Sequence, residues 1–93
     1  MLYFVYRVDK PGVHDLRMKT RPAHMEFAET LGDTLYFAGP AMDDDENMIA
    51  SVWIIGEKDR ADAEAITEHD PYEQVGLFES KTIRRFVRTA GTA

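Results

Sequence analysis

His24 and Asp70 are the two side chains whose types and surroundings best suit proton transfer. An imidazole changes charge near neutral pH, so a histidine set against apolar groups can take and return protons under ordinary conditions. On a helical wheel His24 lies on one side with Thr20 and Phe27, one turn away, and Leu31, two turns away, at the edge of an apolar stripe and away from Met18 and Glu29. It should look toward the sheet. Position alone leaves two readings open, a satisfied structural histidine and a proton-transfer residue. Asp70 begins the string Asp70-Pro71-Tyr72-Glu73, which has the form of a helix start, with aspartate as N-cap, proline first and glutamate third reaching back. Capping by itself accounts for Asp70. An N-cap carboxylate nevertheless keeps a second oxygen free, and if that oxygen faced His24 it would fix the tautomer and stabilise the imidazolium formed on proton uptake.

The elements that must position this pair can be read from hydrophobic periods. Residues 2–9 alternate Leu2, Phe4, Tyr6, Val8 with Tyr3, Val5, Arg7, Asp9 and are rich in aromatic and β-branched side chains, which predicts a strand. Pro11 and Gly12 break it. Over residues 13–31 the apolar Val13, Leu16, Ala23, Phe27 and Leu31 gather on one side of a helix stopped by Gly32. Pro22 lies inside and implies either a kink or two shorter helices with Thr20 as the second cap. Residues 34–41 and 48–56 read as a hairpin whose loop carries the acidic block Asp43, Asp44, Asp45, Glu46. Asp59, followed three residues later by Asp62, resembles an acidic cap for a short helix over 61–68 that must end near Asp70, because Pro71 disfavours α geometry in the residue before it. Residues 80–89 supply the last strand. The order βαββαβ is that of a ferredoxin-like α+β sandwich, with two helices on one face of a four-stranded antiparallel sheet.

Composition bounds what such a unit can be. The 93 residues include 11 Lys plus Arg, 17 Asp plus Glu and no Cys, for a formal charge of -6. That length suits a single domain over 1–93, with residues 90–93 as a frayed tail, and one modest core that burial by a partner would help. The charge disfavours nucleic acid and anionic lipid as general partners, and no apolar run approaches the roughly 18 to 20 residues of a membrane span, so a cytoplasmic protein with a small-molecule partner is expected. Without cysteine there are no disulfides, thiolate metal sites or thiol catalysis. A second apolar sheet face is implied, because the first strand is apolar on both sides and the third opposes Ile49, Trp53 and Ile55 to Ala50, Val52 and Ile54. A sheet-to-sheet homodimer would cover it; a monomer with a ligand on that face is the other reading.

Weaker signals have plainer accounts. The acidic block lacks the alternate spacing and following glycine of a calcium loop and suits a solvated turn, so no metal is expected. His14 and His69 have no ligand partners at recognisable spacing, and His69 suits a dipole contact at a helix end or the border of a pocket. Lys81, Arg84, Arg85 and Arg88 alternate across both faces of the last strand without an aromatic stacking pattern for RNA. Trp53 and the tyrosines suit core and interface.

Arg21-Pro22-Ala23-His24, Ala38-Gly39-Pro40 and Asp70-Pro71-Tyr72 followed by Gly76 closely resemble, in order and spacing, the YciI-like (YCII-related) family of small bacterial proteins. The likeness runs from the first strand through Phe86; the acidic hairpin residues 43–47 have no family role attached to them. The resemblance implies a dimeric α+β barrel similar to muconolactone isomerases, with His24 and Asp70 as the active pair. The expected function is a cofactor-free lyase or isomerase acting on a small carbon acid or phenol, with His24 as general base and Asp70 as its orienting carboxylate. Arg21 and Arg17, on successive turns before His24, are candidates for holding a substrate carboxylate. Gly39 and Pro40 complete the candidate substrate-binding set, with Gly39 expected to allow close backbone approach where the second strand ends and Pro40 to stiffen that turn. A ligand-binding or sensing module with the same pocket is the alternative; a haem-handling or oxygenase-like protein would lack a clear axial ligand beyond His24.

Overall fold

In the computed structural model, which describes residues 1–92, the alternating N-terminal segment forms β1 (Leu2–Asp9) and pairs on both edges, antiparallel to β3 (Met48–Gly56) and to β4 (Phe78–Phe86). The hairpin partner of β3 is β2 (Leu35–Met42), giving the sheet order β2-β3-β1-β4. Helix α1 (His14–Thr30) joins β1 to β2, and α2 (Arg60–Glu68) with the short α3 (Pro71–Gln74) joins β3 to β4. This is the ferredoxin-like α+β arrangement expected, with α3 added.

Register decides which side chains meet the helices. Val5 lies opposite Trp53 and Ile83, Tyr3 opposite Ile55, and Arg7 opposite Ser51 and Lys81. Because strand side chains alternate, these share one face. Tyr3, Val5, Trp53, Ile55 and Ile83 form the core with Ala63 of α2, and Phe27 and Leu31 of α1 pack against it. The other face carries half-buried Leu2, Phe4, Tyr6 and Val8, with exposed Phe37 and Phe86 beside them.

Several boundaries differ from expectation. One helix runs through Pro22, and Thr20 is a buried mid-helix residue, not a cap. Pro22 is exposed, so water can satisfy the carbonyl that its missing N–H leaves unbonded. Ala23 is exposed as well; the buried stripe is Arg17, Thr20 and His24, continued by Phe27 and Leu31. The last strand starts at Phe78 and stops at Phe86, because Asp9 pairs with Phe78 past a bulge and Leu2, where β1 begins, pairs with Phe86. Residues 87–92 carry no helix or strand, and residue 93, the end of the expected tail, lies outside the described residues. In the acidic turn the Asp43 carboxylate accepts from the backbone N–H of Asp45 and Asn47 and from Asn47 Nδ2, and the Asn47 bonds hold its pKa below the ordinary value. Among the described residues no helix is long and apolar enough to cross a membrane.

Candidate functional site

The third turn of α1 brings His24 over the sheet, and the turn after α2 brings Asp70 beneath it. His24 Nδ1 lies 2.8 Å from Asp70 Oδ1 and 3.0 Å from Oδ2, with both residues buried. Asp70 also caps α3, its Oδ1 accepting from the Tyr72 N–H at 2.9 Å. Capping and facing His24 are therefore not exclusive.

A third partner comes from β1. Arg7 is fully buried, with Nη2 2.9 Å from Asp70 Oδ2 and Nη1 donating to Glu73 Oε2 at 2.8 Å. The Nη2 contact is an ion pair without hydrogen-bond alignment, and Nε meets no acceptor among the described residues. The guanidinium lies between the rings of Trp53 and Phe78, 4.6 and 4.7 Å from their centroids, and Lys81 closes the series by donating to Glu73 Oε1. Burial alone would raise the Asp70 pKa, but the His24 bond, the Arg7 charge and the Tyr72 N–H together hold it below the usual aspartate value. An ionised carboxylate has no proton to give, so Nδ1 of a neutral His24 carries the hydrogen and Nε2 holds the lone pair.

Tyr72 sets the ring plane. Its side chain stacks on His24 at 3.9 Å between centroids and 14° between planes, and Phe78 meets it edge-on. Arg17, buried in α1, gives Nε and one terminal nitrogen to the two oxygens of Asp9 at 2.8 and 3.1 Å, and that nitrogen also reaches Ser51 Oγ at 2.9 Å. Its guanidinium lies 4.8 Å from the Tyr72 ring centroid.

These residues wall a cleft of about 350 Å³ between α1 and the β2–β3 edge, with Trp53 and Leu35 among its apolar lining. That volume lies at the small end of ligand pockets, enough for one ring. His24, Arg17, Arg21, Gly39 and Pro40 all line it; Asp70 lies behind His24. Arg21 is half-buried, whereas Arg17 is a buried strut, contrary to the usual solvent-facing helical arginine. Gly39 and Pro40 fall within β2 and not at its end. A Cβ on Gly39 would meet nothing within 4 Å, so close approach does not explain that glycine. Pro40 is tolerated because β2 is an edge strand. His14 and His69 are exposed and outside the cleft.

Arg7, Tyr72, Asp9 and Ser51 were not singled out from the sequence as site residues. For Arg7 a signal existed, since it shares strand parity with Tyr3 and Val5 and so belongs to a core face. Nothing local marks the pairing of Asp9 with Arg17.

A profile of the YCII-related domain matches residues 1–87. Protein YciI of Escherichia coli O6:H1 is 31% identical over 94 residues, covering 92% of this chain and 96% of that protein. Among solved structures, 5-chloro-2-hydroxyhydroquinone dehydrochlorinase (TftG) of Burkholderia phenoliruptrix AC1100, in complex with 2,5-dihydroxybenzoquinone, superposes with a TM-score of 0.88 at 28% identity and 96% coverage of each chain. An antibiotic biosynthesis monooxygenase superposes with a TM-score of 0.55 at 16% identity, over 97% of this chain and 100% of that one, a likeness of fold alone.

Proposed function

This chain belongs to the YCII-related family, and we propose that it is a small-molecule lyase or isomerase in which His24 is the general base and Asp70 its orienting carboxylate. The observation that carries this reading is the 2.8 Å contact of His24 Nδ1 with a buried, ionised Asp70, which leaves Nε2 as the ring nitrogen available in a cleft sized for one ring. Neutral imidazole Nε2 removes a proton from a carbon or phenolic oxygen of the substrate. In an elimination the electron pair of the broken C–H or O–H bond goes into the new C=C or C=O bond, a halide leaves with the electron pair of its bond to carbon, and the proton on Nε2 is passed to water; in an isomerisation the proton returns at another carbon. Asp70 stabilises the imidazolium in between. The dehydrochlorinase activity named for TftG supports the elimination branch and a hydroxylated, halogenated ring as substrate class.

We also propose that a second copy of the chain covers the open sheet face, making a homodimer. Phe4 and Tyr6 stack there at 6.1 Å, with Phe37 half-exposed nearby.

Turnover of a panel of halogenated hydroquinones and unsaturated lactones tests the chemistry. His24→Ala should lower it by about 10² to 10⁴-fold. Its melting temperature should stay within a few degrees, because Asp70 keeps Arg7 and the Tyr72 N–H. Undiminished turnover, or loss of folding, would return His24 to a structural role; saturable binding without turnover in the wild type would favour a binding module.

A further inference from the structure

Two polar groups at the cleft remain without partners. The Tyr72 hydroxyl is buried and makes no hydrogen bond among the described residues, an uncommon state for a buried polar atom. Arg21 lines the same cleft and pairs with no carboxylate among the described residues, whereas the charge of Arg17 is taken up by Asp9. Arg17 lies over the Tyr72 ring and close to its hydroxyl, without the alignment of a hydrogen bond, and as a donor it could meet only the oxygen and not the hydroxyl hydrogen. Burial pushes the Tyr72 phenol upward, and the charges of Arg17 and Arg21 and the nearness of Arg17 as a donor do not cancel it, so at neutral pH this group offers a proton. The carboxylate of the cleft wall, Glu29, is exposed and eight residues along α1 from Arg21, about 12 Å by helical rise.

On the reading of His24 as base, we propose that the Tyr72 hydroxyl and the Arg21 guanidinium form an anion-binding pair for the ionised oxygen of a small planar hydroxylated ring. Each lacks the partner that such an oxygen supplies: a donor without an acceptor, and a cation without a counter-charge. The stacking of Tyr72 on His24 puts donor and base side by side, so negative charge that grows on a ring oxygen as His24 removes a proton forms next to the hydroxyl. Selectivity follows. A ring with free, ionisable oxygens is retained, and its O-alkylated analogue, which brings no charge, is not.

The probes are 2,5-dihydroxybenzoquinone, the molecule bound to TftG, and 2,5-dimethoxybenzoquinone, which has the same ring without ionisable oxygens. Titrated against the full chain at neutral pH, the dihydroxy compound should bind about tenfold or more tightly than the dimethoxy compound. Tyr72→Phe and Arg21→Gln should each weaken the dihydroxy compound by about tenfold while leaving the dimethoxy compound unchanged. Tyr72→Phe should melt at or above the wild-type temperature, because it removes an unpaired buried hydroxyl. The pair is overturned if the wild type does not prefer the ionised ring or does not bind it, or if both variants keep full affinity. The two readings fail separately: His24→Ala with undiminished turnover removes the base and leaves the affinities to decide the anion pair, whereas lost turnover in His24→Ala beside unchanged affinities removes the anion pair alone.

Discussion

Replacing Arg7 by methionine removes a fully buried guanidinium while keeping an unbranched stem between the Trp53 and Phe78 rings, so the main loss is electrostatic. Breaking a buried ion pair by deleting one partner costs about 3–5 kcal/mol, because the remaining charge stays in a poor solvent. Two features favour the lower end. Asp70 keeps the bonds to His24 and the Tyr72 N–H, and Glu73 keeps Lys81 at 2.9 Å. The expected loss of about 3 kcal/mol compares with a total of about 5–14 kcal/mol for 93 residues. It lowers the melting temperature by roughly 12–24 °C. The pH dependence distinguishes this account from lost packing. Burial favours protonated Asp70, but His24, Arg7 and the Tyr72 N–H outweigh it and hold the folded pKa below 3.8. Between the folded value and 3.8 the unfolded chain binds more protons, so the Asp70 contribution is complete above 3.8 and is lost as pH falls through the folded value. Without the Arg7 charge the folded value rises and that acid-side slope shrinks. Urea unfolding from about pH 3 to pH 7 should therefore give a wild-type advantage over Arg7→Met that is largest above about pH 5 and narrows on acidification. A gap below about 1 kcal/mol, or one that does not change with pH, would refute the electrostatic role of Arg7.

Gly76 has φ 69°, and a Cβ there would sit 3.5 Å from Lys10 Nζ, an ordinary contact, so Gly76→Ala should cost only the left-handed backbone penalty of about 1 kcal/mol in urea unfolding. A loss well above that would mean the turn into β4 is sterically closed. Phe4→Glu, on the open sheet face, should convert the proposed homodimer to a single chain by sedimentation at micromolar concentration while leaving the far-UV spectrum intact; a wild type already sedimenting as one chain would remove the dimer proposal.

How much of this was legible depended on whether a signal was local. The alternation of residues 2–9, the apolar hairpin runs and the Asp70-Pro71 helix start were each written in a few consecutive residues, and they fixed the strands, their order and the cap. Strand ends were set by pairing instead: β4 stops at Phe86 because its partner strand begins at Leu2. Counting apolar residues as the buried ones places Ala23 in the α1 stripe, yet Ala23 is exposed and Arg17, Thr20 and His24 occupy the buried positions. Those polar residues are tolerated because partners arrive from elsewhere in the chain, Asp9 and Ser51 for Arg17 and Asp70 for His24. No period within the helix encodes a partner eight to 46 residues away.

The company Asp70 keeps has a consequence for any acid-base cycle at His24. A carboxylate whose only cation were the imidazolium would lose its counter-charge each time the ring deprotonated, and in a buried site it would tend to take a proton itself. Arg7 removes that dependence: its charge stays beside Asp70 whether or not His24 carries one. Asp70 can then remain an acceptor throughout, Nδ1 keeps its hydrogen, and the lone pair returns to Nε2 after each turnover. The same cation competes with the ring for the carboxylate and would repel an imidazolium. Glu73 offsets this by drawing Arg7 from the other side at 2.8 Å, and Lys81 in turn balances Glu73. Two cations and two carboxylates thus cancel behind the imidazole. On this account the net field at His24 depends on Glu73 as well as on Asp70, although Glu73 makes no contact with the ring and does not line the cleft.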